Sequence, residues 1–162
     1  MNKSKKISKY LPALSFILRV ILGGVFIFAS WDKIQSPVYF AVAVENYRLI
    51  PDIVTNLVAV ILPWLELYCG ILLVSGLWYR SAAMIVLFLN MIFIFAILYA
   101  LISGLSIDCG CFGTDTTVSW GRVIEDFFLL GFSLIIIFTP ESILAMENLD
   151  RDKRQIRQKP VE

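Results

Sequence analysis

Two long apolar runs separated by two residues, LVAVILPWLELYCGILLVSGLW (57–78) and SAAMIVLFLNMIFIFAILYALIS (81–103), decide the fold of this chain. Each run reaches the roughly 20 residues that a helix needs to cross a bilayer core of about 30 Å. The link between them, Tyr79-Arg80, leaves room only for a tight turn. The stretch therefore predicts two consecutive transmembrane helices that form an antiparallel hairpin.

Two further apolar runs flank this hairpin. The run at 11–30 follows a lysine-rich start, and it lacks the small-residue cleavage motif of a secretory signal peptide, which favours a retained helix. The run at 118–138 is polar in its first half. Residues 37–48 are predicted to form a short helix on the membrane surface. The fold class is thus all-α: a polytopic membrane protein with a four-transmembrane-helix bundle.

The composition supports this class. The chain has 162 residues, of which 59% are hydrophobic and 17% charged, with a mean hydropathy of +0.80. Soluble chains are typically about 45–50% apolar, and a domain of this size could not bury the excess. The absence of histidine excludes Ser-His-Asp and Cys-His catalysis, and with three cysteines it argues against a closed zinc site. The net charge of +1 gives no indication of a nucleic-acid partner.

The positive charges predict the orientation. The two termini carry four and five Lys/Arg residues, and Arg80 lies in the turn of the hairpin. By the positive-inside rule both termini and this turn are cytoplasmic, which agrees with an even number of spans. The protein is predicted to be a multi-pass protein of the inner (plasma) membrane, with the loop before the fourth span extracytoplasmic. The predicted parts are a basic cytoplasmic segment (1–10), the transmembrane domain (11–140) and a charged cytoplasmic tail (141–162).

Several ionisable side chains fall inside the predicted spans. Arg19 and Glu66 lie at similar predicted depths, and an unpaired charge there costs at least about 2.5–3.5 kcal/mol, so we expect them to pair. The pair could serve to fix helix register, or to move protons or bind a ligand. At the start of the fourth span, Arg122 and Asp126 are spaced to pair on one helix face. Together with Glu125 they form either an interfacial polar cluster or the lining of a pocket under the adjoining loop.

That loop contains SIDCGCFGTD (106–115), in which Cys109 and Cys111 flank Gly110. A disulfide needs Cα atoms about 4.4–6.8 Å apart, and only a bend at the glycine brings such close neighbours into that geometry. Strained, exposed disulfides exchange readily, which favours a redox pair over inert thiols or part of a metal site. The third cysteine, Cys69, lies inside the second predicted span, as a small apolar filler or as a resolving thiol.

These features together resemble the MauE branch of the MauE/DoxX redox-associated membrane proteins, over about residues 12–138. The resemblance is carried by an arginine in the first span, a glutamate in the second and DCGCFG (108–113) before the fourth. It implies that Cys109 and Cys111 are the redox pair and that Arg19 and Glu66 are the charged pair of the bundle.

The resemblance implies a role in disulfide formation or thiol maturation of an extracytoplasmic partner, of the methylamine-utilisation type. The expected partners are the lipid bilayer and a thiol/disulfide protein, either thioredoxin-like or a client. DoxX relatives imply quinone as a cofactor, although no residue pattern identifies a quinone site. The sequence leaves open whether the chain is itself a thiol-disulfide oxidoreductase. There are two alternatives. The chain could be a non-catalytic anchor or assembly subunit of a redox complex, or a DoxX-like quinone-linked subunit. The expected location of a site is a pocket beneath the loop, bounded by Glu66, Cys69, Arg122 and Asp126.

Overall fold

The computed structural model describes residues 3–104, 107 and 118–139, with side chains from residue 13 onward except that of Asp52. Within these ranges the chain is helical and contains no β-strand, so the all-α prediction is confirmed. The helices are α1 (Lys3–Gln35), α2 (Pro37–Asn46), α3 (Asp52–Ser75), α4 (Tyr79–Ile102) and α5 (Trp120–Phe138).

Three helices in the described part of the chain are long and apolar enough to cross a membrane. They correspond to Ala13–Gln35, Ile53–Ser75 and Tyr79–Ile102. Their outward faces carry large apolar side chains that a soluble protein would bury, such as Phe28, Trp64 and Phe88. The membrane class of the protein is therefore confirmed. The fourth predicted run forms the helix α5, which is not among these three.

Helix boundaries follow from a few local signals. Pro37 occupies the first turn of α2, where its fixed φ suits a helix start. Gly76 ends α3 in the left-handed conformation at φ 75°, and its N–H donates to the Leu72 carbonyl at 3.0 Å. The chain then turns directly into α4 at Tyr79. The predicted hairpin is thus present, and its turn falls slightly earlier than expected.

The interface between α1 and α3 is the most extensive in the bundle and contains a glycine contact. A Cβ atom on Gly23 would lie 2.7 Å from the Gly70 carbonyl oxygen, and one on Gly70 would lie 2.9 Å from the Gly23 carbonyl oxygen. The two backbones therefore touch, as small residues allow in membrane helices. This contact fixes the register of two antiparallel helices, with Gly23 opposite Gly70.

The succession of antiparallel helices gathers four helix ends at one end of the bundle, which we call the loop end. The C-termini of α1 and α4 and the N-termini of α3 and α5 meet there. The Val118 N–H donates to the Ile107 carbonyl oxygen at 3.0 Å, and this bond joins the chain leaving α4 to the chain entering α5. Towards the opposite end lies the apolar core, which consists of Leu18, Leu22, Phe26, Cys69, Leu73, Tyr79, Ala82, Ala83, Val86 and Ile136.

Candidate functional site

A buried ion pair connects α1 to α3 below the loop end. The Lys33 ammonium donates to both carboxylate oxygens of Glu66, at 2.8 and 2.7 Å, and their side chains are only 5% and 2% exposed. The same nitrogen lies 5.1 Å from the ring centroid of Phe40 and 4.9 Å from that of Phe93. Cation–π attraction from two rings adds to the charge pairing. The ammonium is thus enclosed by one carboxylate and two aromatic faces.

The predicted Arg19–Glu66 pair is wrong. The Nε of Arg19 donates to the Leu73 carbonyl oxygen at 3.0 Å, and its guanidinium lies 4.7 Å from the ring centroid of Tyr79. Leu73 lies in the last turn of α3, where carbonyl groups have no partner within the helix and a positive charge is favourable. Arg19 therefore stabilises the end of α3 at the side of the bundle opposite the loop end.

The register of α1 on α3 explains the difference. Because Arg19 lies level with Leu73, its backbone is offset from that of Glu66 by about 10 Å at 1.5 Å per residue. Helical side chains also lean towards the N-terminus of their own helix. In this antiparallel pair the side chains of Lys33 and Glu66 lean towards each other, whereas that of Arg19 leans away from Glu66.

The ion pair belongs to a larger group that we call the polar cluster: Lys33, Glu66, Asn90 and Asp126. Each of the four long helices α1, α3, α4 and α5 contributes one member, and all four line one small cavity of about 30 Å³. Asn90 is only 2% exposed. Its Nδ2 atom and the Oδ2 atom of Asp126 are buried without a hydrogen-bond partner among the described residues. Two of the residues that line this cavity therefore carry unsatisfied polar atoms.

Asp126 lies between this cavity and the outside of the bundle. The expected Arg122–Asp126 pairing is replaced by one between Arg122 Nη1 and Glu125 Oε2 at 2.7 Å, with the Glu125 side chain 61% exposed. Asp126 also borders an outer groove of about 510 Å³ between α1 and α5. The other residues of this outer groove are Val25, Phe28, Arg122, Glu125, Phe128 and Leu129.

The short helix α2 covers one side of the polar cluster, a role that the sequence did not indicate. Beside the contact of its Phe40 with Lys33, Tyr47 at its end is 7% exposed. Burial raises the pKa of Tyr47 to about 12, and Asp126 acts in the same direction when its carboxyl group is ionised. The phenol therefore remains neutral at any physiological pH. Phe40 and Tyr47 also border an apolar cavity of about 310 Å³ between α2, α3 and α4.

Of the three cysteines, the structure describes only Cys69. Cys69 is completely buried in the apolar core and borders neither the small cavity nor the outer groove, an environment that fits the apolar-filler prediction. Cys109 and Cys111 lie outside the described residues. Their segment starts after Ile107 and ends before Val118, the two residues that are hydrogen-bonded at the loop end. Among the described residues no three Cys, Asp or Glu side chains are grouped closely enough to hold a metal ion.

Comparison with known proteins identifies the family of this chain. The profile of a family described as methylamine utilisation protein MauE matches residues 11–139. The chain belongs to the MauE family. The match contains α2 to α5 and most of α1, and thus the whole polar cluster. The predicted resemblance to MauE is therefore confirmed.

Curated MauE relatives cover most of the chain. The methylamine utilization protein MauE of Paracoccus denitrificans is 31% identical over 128 residues, which are 77% of this chain and 69% of the relative. The protein of the same name from Methylophilus methylotrophus is 32% identical over 136 residues, or 82% and 72% of the two chains. No solved structure matches this chain.

Proposed function

We propose that this MauE-family chain is a membrane thiol-disulfide redox protein that acts through Cys109 and Cys111. It supports disulfide formation or maturation of an extracytoplasmic partner, in a system for methylamine utilisation as the names of its relatives indicate. The partner is a thioredoxin-like protein or a client with exposed thiols. Family membership, the apolar bundle and the Cys-Gly-Cys spacing support this function.

The orientation that this function needs has independent support. We infer that α5 is the fourth span and that the loop end faces the extracytoplasmic side of the inner membrane. With four antiparallel spans, the lysine-rich N-terminus and the basic C-terminal tail fall on the same side, as the positive-inside rule requires. The loop end would then lie in an oxidising compartment, where disulfides persist.

The hydrogen bond between Val118 and Ile107 is the structural observation that supports this function most directly. It brings both ends of the cysteine-containing segment together at the loop end, on the side of the bundle where the polar cluster lies. In the proposed reaction a client thiolate attacks the Cys109–Cys111 disulfide and forms a mixed disulfide. The second client thiolate then resolves it. The client loses two electrons and two protons, and Cys109 and Cys111 gain both as thiols.

Thiol trapping in intact cells tests this function. Cells are acid-quenched, free thiols are blocked with a maleimide, disulfides are reduced, and the released thiols are labelled with a heavy maleimide that shifts the band on a gel. We expect wild type to show a two-thiol shift that Cys109→Ser and Cys111→Ser each abolish. One of these single variants should also trap a mixed disulfide with the partner. The matched control Cys69→Ala, which changes a buried thiol, should keep the two-thiol shift.

The contrary outcome is equally clear. If both thiols are reduced in wild type, and the double serine variant still supports growth on methylamine, the redox role is wrong. The remaining interpretation is then a non-catalytic anchor or assembly subunit of a redox complex.

A quinone-linked subunit is the second candidate, and the outer groove between α1 and α5 is the observation that favours it. Its walls are apolar, and Arg122, Glu125 and Asp126 supply polar groups at one side, a combination that suits a lipid-soluble electron carrier. Adding a short-chain quinone to membranes should then oxidise Cys109 and Cys111 without another oxidant. If Cys109 and Cys111 stay reduced after quinone is added, this candidate is excluded.

A further inference from the structure

The polar cluster contains one cation and two carboxyl groups. Both oxygens of Glu66 accept hydrogen bonds from Lys33, so this pair is electrically neutral within itself. Asp126 is left over, and its Oδ2 is buried without a hydrogen-bond partner among the described residues. An ionised carboxylate in that position would be desolvated without compensation, which is costly in a low-dielectric interior. A protonated Asp126 avoids this cost and makes the cluster neutral.

Each charged group that faces Asp126 from the neighbouring elements has an oppositely charged partner of its own. From α1 and α3 it faces the Lys33–Glu66 pair, and α4 presents only the uncharged Asn90. At the end of α2, Tyr47 is a neutral phenol. On α5 itself the charges of Arg122 and Glu125 are engaged with each other, and Glu125 points to the exterior.

A second observation points to a ligand in the cavity. Asn90 is only 2% exposed, and its Nδ2 donor has no partner among the described residues although it borders the same space as Asp126. The cavity of about 30 Å³ exceeds the roughly 10–15 Å³ that one water molecule requires. A water bound there would lie in a cavity that both Asn90 and Asp126 line, the two residues with orphaned atoms.

The position of Asp126 also provides a route for exchange. The same residue borders the small cavity on the inside and the outer groove on the outside. Arg122 and Glu125 line the same outer groove, so exchange through this groove would not cross the apolar core.

We propose that the polar cluster is a proton-binding site in which Asp126 holds the exchangeable proton and one water links it to Asn90. The proton comes from the aqueous phase at the loop end. The site is independent of the thiol chemistry proposed above, since every residue that forms it is described in the structure. A failure of the cysteine experiment would leave it intact.

Infrared difference spectroscopy of the full-length protein in lipid nanodiscs tests the site. We expect a carbonyl stretch from a protonated carboxylic acid that grows as the pH is lowered and disappears as the pH is raised. Asp126→Asn should remove this band completely, and Glu125→Gln should leave it unchanged, because Glu125 is the exposed neighbour on the same helix. Asn90→Leu should shift the band by removing the water link. A band that survives in Asp126→Asn, disappears in Glu125→Gln or is unmoved in Asn90→Leu would overturn the proposal.

A measurement on the wild-type protein needs no substitution, so its result does not depend on whether a variant folds. Protein labelled with ¹³C at the aspartate side-chain carboxyl should move the band to lower frequency, and the same label in glutamate should not. A shift with labelled glutamate would place the proton on a glutamate and contradict the assignment to Asp126.

Discussion

Lys33→Met is expected to destabilise the folded bundle by about 3–5 kcal/mol, the usual cost of removing one partner from a buried ion pair. The substitution leaves the Glu66 carboxylate, whose side chain is 2% exposed, without the ammonium that donates to both of its oxygens. Two aromatic faces also lose their cation. The measurement is unfolding in mixed micelles of a mild detergent and dodecyl sulfate, followed by circular dichroism.

Two further variants make this prediction specific. The double change Lys33→Met with Glu66→Met should recover most of the loss, because replacing a whole buried pair with apolar residues is often neutral or stabilising. Breaking the Arg122–Glu125 pair by Glu125→Met should cost no more than about 1 kcal/mol, since the Glu125 side chain is 61% exposed. If Lys33→Met unfolds at the same dodecyl sulfate fraction as the wild type, the ion pair does not contribute to stability.

Gly23→Ala is expected to destabilise the bundle by about 1–3 kcal/mol, the usual range for overpacking a tight interface. The new methyl group would lie 2.7 Å from both the Gly70 carbonyl oxygen and Cγ2 of Val74. A backbone carbonyl cannot move aside alone, so α1 and α3 must separate. The same unfolding assay measures the effect.

The next residue along the chain provides the control. A Cβ on Gly24 meets no atom within 4 Å, and alanine is the better helix former by up to about 1 kcal/mol. Gly24→Ala should therefore be neutral or slightly stabilising. Equal losses from the two alanines would show that the α1–α3 contact is not responsible, and that the loss comes from glycine flexibility in α1.

Much of the fold could be predicted from the lengths of the apolar runs. A run long enough to cross a membrane needs no knowledge of its neighbours, so the hairpin formed by α3 and α4 was predicted correctly. The end of α1 was not. The predicted run stopped at residue 30, and this assigned Lys33 to a connecting segment. The sequence does contain a signal for the longer helix, because Leu22, Phe26, Ala29 and Lys33 repeat at helical spacing along one buried face.

The partners of the charged residues were beyond the reach of sequence alone. Run lengths give the depth of Arg19 and Glu66 only approximately, and the contact between Gly23 and Gly70 that fixes the real register is invisible until both helices are assembled. On α5 the sequence likewise does not decide which carboxylate pairs with Arg122. Spacings of three and four residues both place a carboxylate beside Arg122, and only the packing of α5 on its neighbours turns Asp126 inward.

The glycine contact between α1 and α3 also has a mechanical consequence. Gly23 and Gly70 form a fulcrum, because the two helices touch there backbone to backbone. The Lys33–Glu66 pair ties the helices on one side of this fulcrum, and the hydrogen bond from Arg19 ties them on the other. A rocking motion that stretches one tie compresses the other. The contact and the two ties thus couple the loop end of this helix pair mechanically to its opposite end.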